Sequence, residues 1–167
     1  MYFETNSSRH SSAHSLRVVG LVTIAALALA ADVQGAGVGV QMGPIAPEDI
    51  AIRGYAVWNG ADRLTIESGA LLVRQGAIPD ITPMFHSTGQ LFAAVGIGLG
   101  YNAVQNERQS KGLIFHDVIG GGYRISKTFS LTGSVQHWSN GGRYNPLFGS
   151  HANRGYTALM FGVTQRL

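Results

Sequence analysis

The chain contains no cysteine among its 167 residues. That excludes a disulfide framework and any zinc–thiolate site. Charge is also scarce. Asp, Glu, Lys and Arg make up 13% of the chain, about half the ~25% usual in a soluble domain. The formal charge is only +3. The basic residues neither cluster nor alternate with aromatics, as a nucleic-acid groove requires, so no nucleic-acid partner is expected. His86, His116, His137 and His151 share no ligand spacing and the acids are scattered, so neither a metal nor a cofactor is expected. The only long apolar run, Val18 to Ala30, is shorter than the ~20 residues a helix needs to cross a bilayer. If this chain lives in a membrane, it does so as a closed β-barrel.

That apolar run follows Arg17 and ends in Ala28-Leu29-Ala30. A basic flank, an apolar stretch and a small-x-small site make an export signal. Residues 1–30 are therefore expected to be a signal peptide cleaved near Ala30, and residues 31–167 a single barrel domain. The length suits one domain.

Glycine is abundant, with 23 residues, and much of it falls in alternating segments. Eight strands are expected: residues 36–41, 50–58, 64–73, 80–86, 90–102, 113–126, 129–140 and 155–167. Residues 42–49 read as a loop, and Gly76 to Pro79 as a turn. Asn59-Gly60 is a strong turn dipeptide. Pro83 suggests a bulge or a sheet edge. Residues 104–112 and 141–154 read as longer loops.

The segment from Gln90 to Asn102 has the cleanest pattern. Leu91, Ala93, Val95, Ile97, Leu99 and Tyr101 make an apolar face that ends in an aromatic. Gly96, Gly98 and Gly100 leave the other face nearly bare. A membrane barrel inverts the soluble rule: apolar residues meet lipid, and small or polar ones fill the interior. Eight strands of ~9–11 residues nearly use up the chain, and the last alternation runs to Leu167. The expected fold is all-β: an eight-stranded antiparallel up-and-down outer-membrane β-barrel. A soluble lipocalin-like barrel would instead turn Leu91, Val95 and Leu99 inward. A pore is disfavoured, because side chains fill an eight-stranded interior.

The strand Phe129 to Asn140 carries the chemistry. Ser130, Thr132, Ser134, Gln136 and Trp138 share one face. Phe129, Leu131, Gly133, Val135, His137 and Ser139 share the other. His137 and Ser139 therefore lie side by side on the apolar, lipid-facing side, near a rim. A serine hydroxyl becomes a competent nucleophile when a histidine takes its proton, and a carboxylate then holds the imidazole tautomer. Asp117 is the candidate carboxylate. If the hairpin turns at residue 127, Asp117 is level with His137. Asn140, Gly141 and Gly142 follow and could supply an oxyanion hole. A catalytic pair on a barrel wall makes sense if the substrate is a lipid. The plain alternative is that all of these are rim polar groups and a Gly-rich turn.

His137-Trp138-Ser139-Asn140, followed by Asn153-Arg154-Gly155 before the last strand, resembles the lipid A 3-O-deacylase (PagL) family. Phe115 to Gly122 and Phe92 to Gly98 extend the likeness backward, and Ala31-Asp32-Val33 extends it to the mature start. Residues 36–86 contribute little. The resemblance implies an outer-membrane hydrolase that removes the ester-linked acyl chain at position 3 of lipid A. It implies roles for His137 and Ser139, with the oxyanion hole at Asn140 to Gly142. Its substrate would be lipopolysaccharide, met among membrane lipids; a homodimer is compatible with the sequence. One position departs. The family's acidic residue, early in the last strand, falls on Thr157, which carries no charge. Three outcomes follow: Asp117 takes over, a Ser–His pair works alone, or activity has been lost. The last would make the chain a non-catalytic structural or adhesive barrel.

Overall fold

The computed structural model describes residues 36–46, 49–61, 63–74, 76–103, 109, 111–140 and 155–167. The signal segment 1–30 and the loop 141–154 lie outside them. Eight strands form: β1 (Gly37–Ala46), β2 (Asp49–Ala61), β3 (Leu64–Val73), β4 (Gly76–His86), β5 (Leu91–Asn102), β6 (Gly112–Arg124), β7 (Phe129–Ser139) and β8 (Tyr156–Arg166). Each pairs antiparallel with its neighbours in sequence, and β1 pairs with β8 to close the barrel. Closure leaves no unpaired edge.

Every expected strand is present, but the first half of the chain differs from the sequence reading in four places. The expected loop after residue 41 is strand as far as Ala46. The expected turn at Gly76 to Pro79 opens β4. Asn59-Gly60 lies within β2, at a register shift between Asn59 and Ala61. Pro83 makes no bulge, because the β4–β5 register is the same on both sides of it. The prolines explain much of this. Pro44 pairs with Ile50 of β2, and Pro79 and Pro83 pair with Ala70 and Ile66 of β3. On their other sides, toward β8 and β5, no ladder partner is recorded for them. A residue without an N–H fits a strand where it faces such a gap.

Burial follows the alternation. In β5, Leu91, Val95, Ile97, Leu99 and Tyr101 are exposed, while Gly96, Gly98 and Gly100 are buried. That rules out the lipocalin-like arrangement. A side chain on Gly98 would collide with Thr82 of β4, so the bare face is what lets the small interior fill. Tyr101 and Tyr123 stand exposed at opposite ends of the outer apolar band, as aromatic girdles do.

The interior has two layers. At the end carrying the β1–β2, β3–β4, β5–β6 and β7–β8 connections, Ile45, Leu71, Ile78, Ile114, Trp138, Tyr156 and Met160 pack as an apolar plug. Below it lies a polar layer. Arg53, 1% exposed, bonds Asp80 through Nη2 at 2.6 Å and Glu67 through Nη1 at 2.7 Å. Gln136 Nε2 donates to Gln41 Oε1 at 2.6 Å, and Gln136 Oε1 meets His116 Nε2 at 3.1 Å. Pairing of this kind is what lets charges and amides survive burial.

Candidate active site

β7 carries His137 and Ser139 to the loop-bearing end of the barrel, both half-buried on its outer face. Residues two apart on a strand share a face, with Cα atoms about 6.6 Å apart from two rises of ~3.3 Å. Trp138, between them, points inward and is fully buried. Its ring stacks on that of His116, with centroids 4.4 Å apart and planes 6° apart. Gln109 Nε2 donates to the Trp138 carbonyl at 2.9 Å. These contacts pin the end of β7 from inside and leave its outer face for chemistry.

Register decides what flanks His137. Asp117 of β6 stands opposite it on one side and Thr157 of β8 on the other. The three form one outward row across three strands, with cross-strand neighbours about 5 Å apart. Asp117 is thus level with His137, as a turn centred on residue 127 requires. The imidazole, however, bonds the other neighbour: Nδ1 lies 2.8 Å from Thr157 Oγ1. Asp117 is exposed, and among the described residues it makes no ion pair within 4.0 Å with His137.

The ring's other edge points toward the Ser139 level. Gly155 has φ +60°. Continuing the β7–β8 register past Trp138↔Tyr156 places it opposite Ser139. A Cβ there would sit 2.9 Å from His137 Cε1 and 3.2 Å from Nε2. Gly155 thus provides the bare floor beneath the working edge of the imidazole. Among the described residues no hydrogen bond joins His137 to Ser139. Such bonds commonly tighten only when substrate is bound.

Asn140 is buried, and its Nδ2 donates to the Leu113 carbonyl at 3.0 Å. This bond anchors the strand end and uses one amide hydrogen of the candidate oxyanion donor. Gly141 and Gly142 lie outside the described residues. Among those described, no group of three His, Cys, Asp or Glu residues could hold a metal ion.

Two contributors escaped the sequence reading. The sequence marks Thr157 only by the carboxylate it lacks, and Gly155 only as part of a motif. The first needed the β7–β8 register, which the long 141–154 connection leaves open in the sequence. The second needed the backbone angle.

The model of the lipid A 3-O-deacylase (PagL) family matches residues 35–164. This chain belongs to that family. The match takes in β1 to β4, where the motifs are weak, as well as the His137–Ser139 strand. The PagL family is one of lipid A 3-O-deacylases, and membership, with the closed barrel, supports an outer-membrane setting. No curated protein matches the chain. Among solved structures, it is similar to a protein from work titled "De novo design of transmembrane beta-barrels". That likeness has a TM-score of 0.58 at 14% identity over 81% of this chain and 98% of that one. It is also similar to the N-terminal β-barrel domain of Pseudomonas aeruginosa OprF. There the TM-score is 0.52 at 14% identity, again over 81% and 98%. At that identity both likenesses concern the fold alone.

Proposed function

We propose that this PagL-family barrel is an outer-membrane esterase that removes the ester-linked acyl chain at position 3 of lipid A. Residues 1–30 direct export and are cleaved near Ala30. Ser139 is the nucleophile and His137 its base. The observation that carries the reading is the His137–Thr157 bond, because it occupies Nδ1 and leaves Nε2, on the Gly155 side of the ring, available to take a proton.

The chemistry runs in two halves. Ser139 Oγ attacks the ester carbonyl while its proton passes to His137 Nε2. The tetrahedral intermediate collapses, its C–O bond to the sugar breaks, and the imidazolium returns the proton to the leaving sugar oxygen. Water, activated by the same imidazole, then splits the acyl-serine and frees the fatty acid. Backbone N–H groups past β7, with the Asn140 amide, stabilise the oxyanion. An acyl ester lying in the outer leaflet reaches the wall sideways and never enters the barrel.

Thr157 makes this site weaker than one with a carboxylate. A carboxylate only accepts, so it obliges Nδ1 to carry the hydrogen. A hydroxyl can donate or accept, so part of the population holds the tautomer whose Nε2 is protonated and cannot act as base. Nor does a hydroxyl offset the charge of the imidazolium. The lack of a carboxylate at position 157 is what favours the second reading, a barrel that has lost catalysis.

Mass spectrometry of lipid A from cells expressing this chain, beside a Ser139→Ala control, separates the two. Loss of one hydroxyacyl mass, absent in the control, is the expected result. Unchanged lipid A around a folded barrel would support the non-catalytic reading.

A further inference from the structure

The end of the barrel remote from Ser139 is built differently. Arg63, His86, Arg124 and Arg166 sit at inward positions, in phase with buried Thr65, Met84 and His116 and with Thr164. All four line one recess of about 530 Å³ at the barrel mouth. Among the described residues no acid lines it. Glu67, the carboxylate just inside, is held by Arg53 at 2.7 Å. Arg124 and Arg166 lie within electrostatic reach of each other and of His86.

Mutual repulsion would ordinarily splay the three arginines. Arg124 is instead held in place. Its guanidinium lies 4.4 Å over the Phe92 ring and donates to the Gly89 and Ser87 carbonyls. Rim arginines that serve lipid headgroups snorkel outward from the wall. Here strand parity turns Arg124 and Arg166 in, and Arg63 joins them at the recess from the β2–β3 turn. The recess is also a dead end, since the Arg53 layer and the apolar plug close the barrel beyond it.

We propose that this mouth is a binding site for a phosphate group, held by Arg63, Arg124 and Arg166. Guanidinium forks match phosphate oxygens two at a time, and a dianion with several acceptors answers three such forks better than one carboxylate could. Rings of inward arginine are a recurring way to hold anions at a barrel mouth. The phosphate comes either from a free phosphate compound or from a lipid headgroup curling over the rim. The proposal is independent of whether Ser139 is catalytic.

The test labels the folded barrel in neutral detergent with phenylglyoxal and reads each arginine by mass spectrometry. Pyrophosphate is the probe, and Arg74, exposed at the opposite end, is the internal control. At about ten times its dissociation constant, pyrophosphate should slow labelling of the three mouth arginines about tenfold and leave Arg74 unchanged. The Arg124→Gln/Arg166→Gln double variant, if folded by heat-modifiable gel mobility, should lose protection at Arg63. If it does not fold, the wild-type protection still decides. Phosphatidylglycerol vesicles that protect without added pyrophosphate assign the phosphate to a headgroup. Protection by pyrophosphate alone assigns it to a soluble compound. Equal labelling with and without either probe overturns the proposal, as does equal protection by chloride at matched ionic strength.

Discussion

Thr157→Glu is the substitution with most to say about this barrel. Thr157 Oγ1 lies 2.8 Å from His137 Nδ1 on an exposed row. A carboxylate leaning onto the same nitrogen changes two things. It obliges Nδ1 to carry the hydrogen, and it places a negative charge about 4 Å from the centre of the forming imidazolium. Between unit charges at that distance the attraction is ~1 kcal/mol in bulk water and ~4 kcal/mol at an effective dielectric of ~20. The rim lies between these limits. One kcal/mol is about fivefold in rate and four about a thousandfold, so kcat should rise about a hundredfold. The upper bound is the ~10⁴ that follows loss of the acid from a complete triad. A rim carboxylate costs the fold less than ~1 kcal/mol, so heat-modifiable gel mobility should not change. The assay is fatty-acid release from lipid A in mixed micelles at saturating substrate. Thr157→Gln, neutral and of the same length, should show none of the gain. A folded Thr157→Glu barrel with unchanged or lower kcat would refute the assignment of position 157 as the imidazole's orienting neighbour.

Three further substitutions test neighbouring parts of the structure. Gly155→Ala places a methyl 2.6 Å from the Trp138 carbonyl and 2.9 Å from His137 Cε1 at φ +60°. It should cost about 1–2 kcal/mol in urea unfolding and lower kcat disproportionately, because the imidazole must tilt away from Ser139. Asp117→Asn removes a carboxylate level with His137 but bonded to none of the groups described here. Activity should change less than about fivefold, in line with the ~1 kcal/mol ceiling for exposed pairs, and a collapse in kcat would make Asp117 the acid. Arg53→Met leaves Glu67 and Asp80 without their shared cation. That should destabilise the barrel by about 3–5 kcal/mol, read as a lower urea midpoint, and leave the lipid-facing row in place if the barrel folds.

Where sequence and structure agree, the reason is local. In β5 and β7 the period of two is uninterrupted, so which residues face out could be read directly. The short β6–β7 turn, held by Ser126 Oγ accepting from the Thr128 and Phe129 amides at 3.2 Å and 3.0 Å, left one sensible register. That is why Asp117 could be placed opposite His137 by counting. In the first half of the chain proline misled. A proline argues against a strand only if its missing N–H faces a formed ladder, and whether Pro44, Pro79 and Pro83 face gaps depends on neighbours far away in sequence.

The amino-acid sequence by itself determined the class of fold, the outward face of the strand that carries His137 and Ser139, and the family signature around them. Strand alternation and motif spacing act over a few residues and need no partner. Only the tertiary structure decided which neighbour holds the imidazole, that Gly155 lies against its Cε1–Nε2 edge, and that three arginines and a histidine line the opposite mouth. These depend on ring closure. β8 must return across the long 141–154 connection to lie beside β7 and β1 before Thr157 has a histidine to face or Arg166 has a mouth to line.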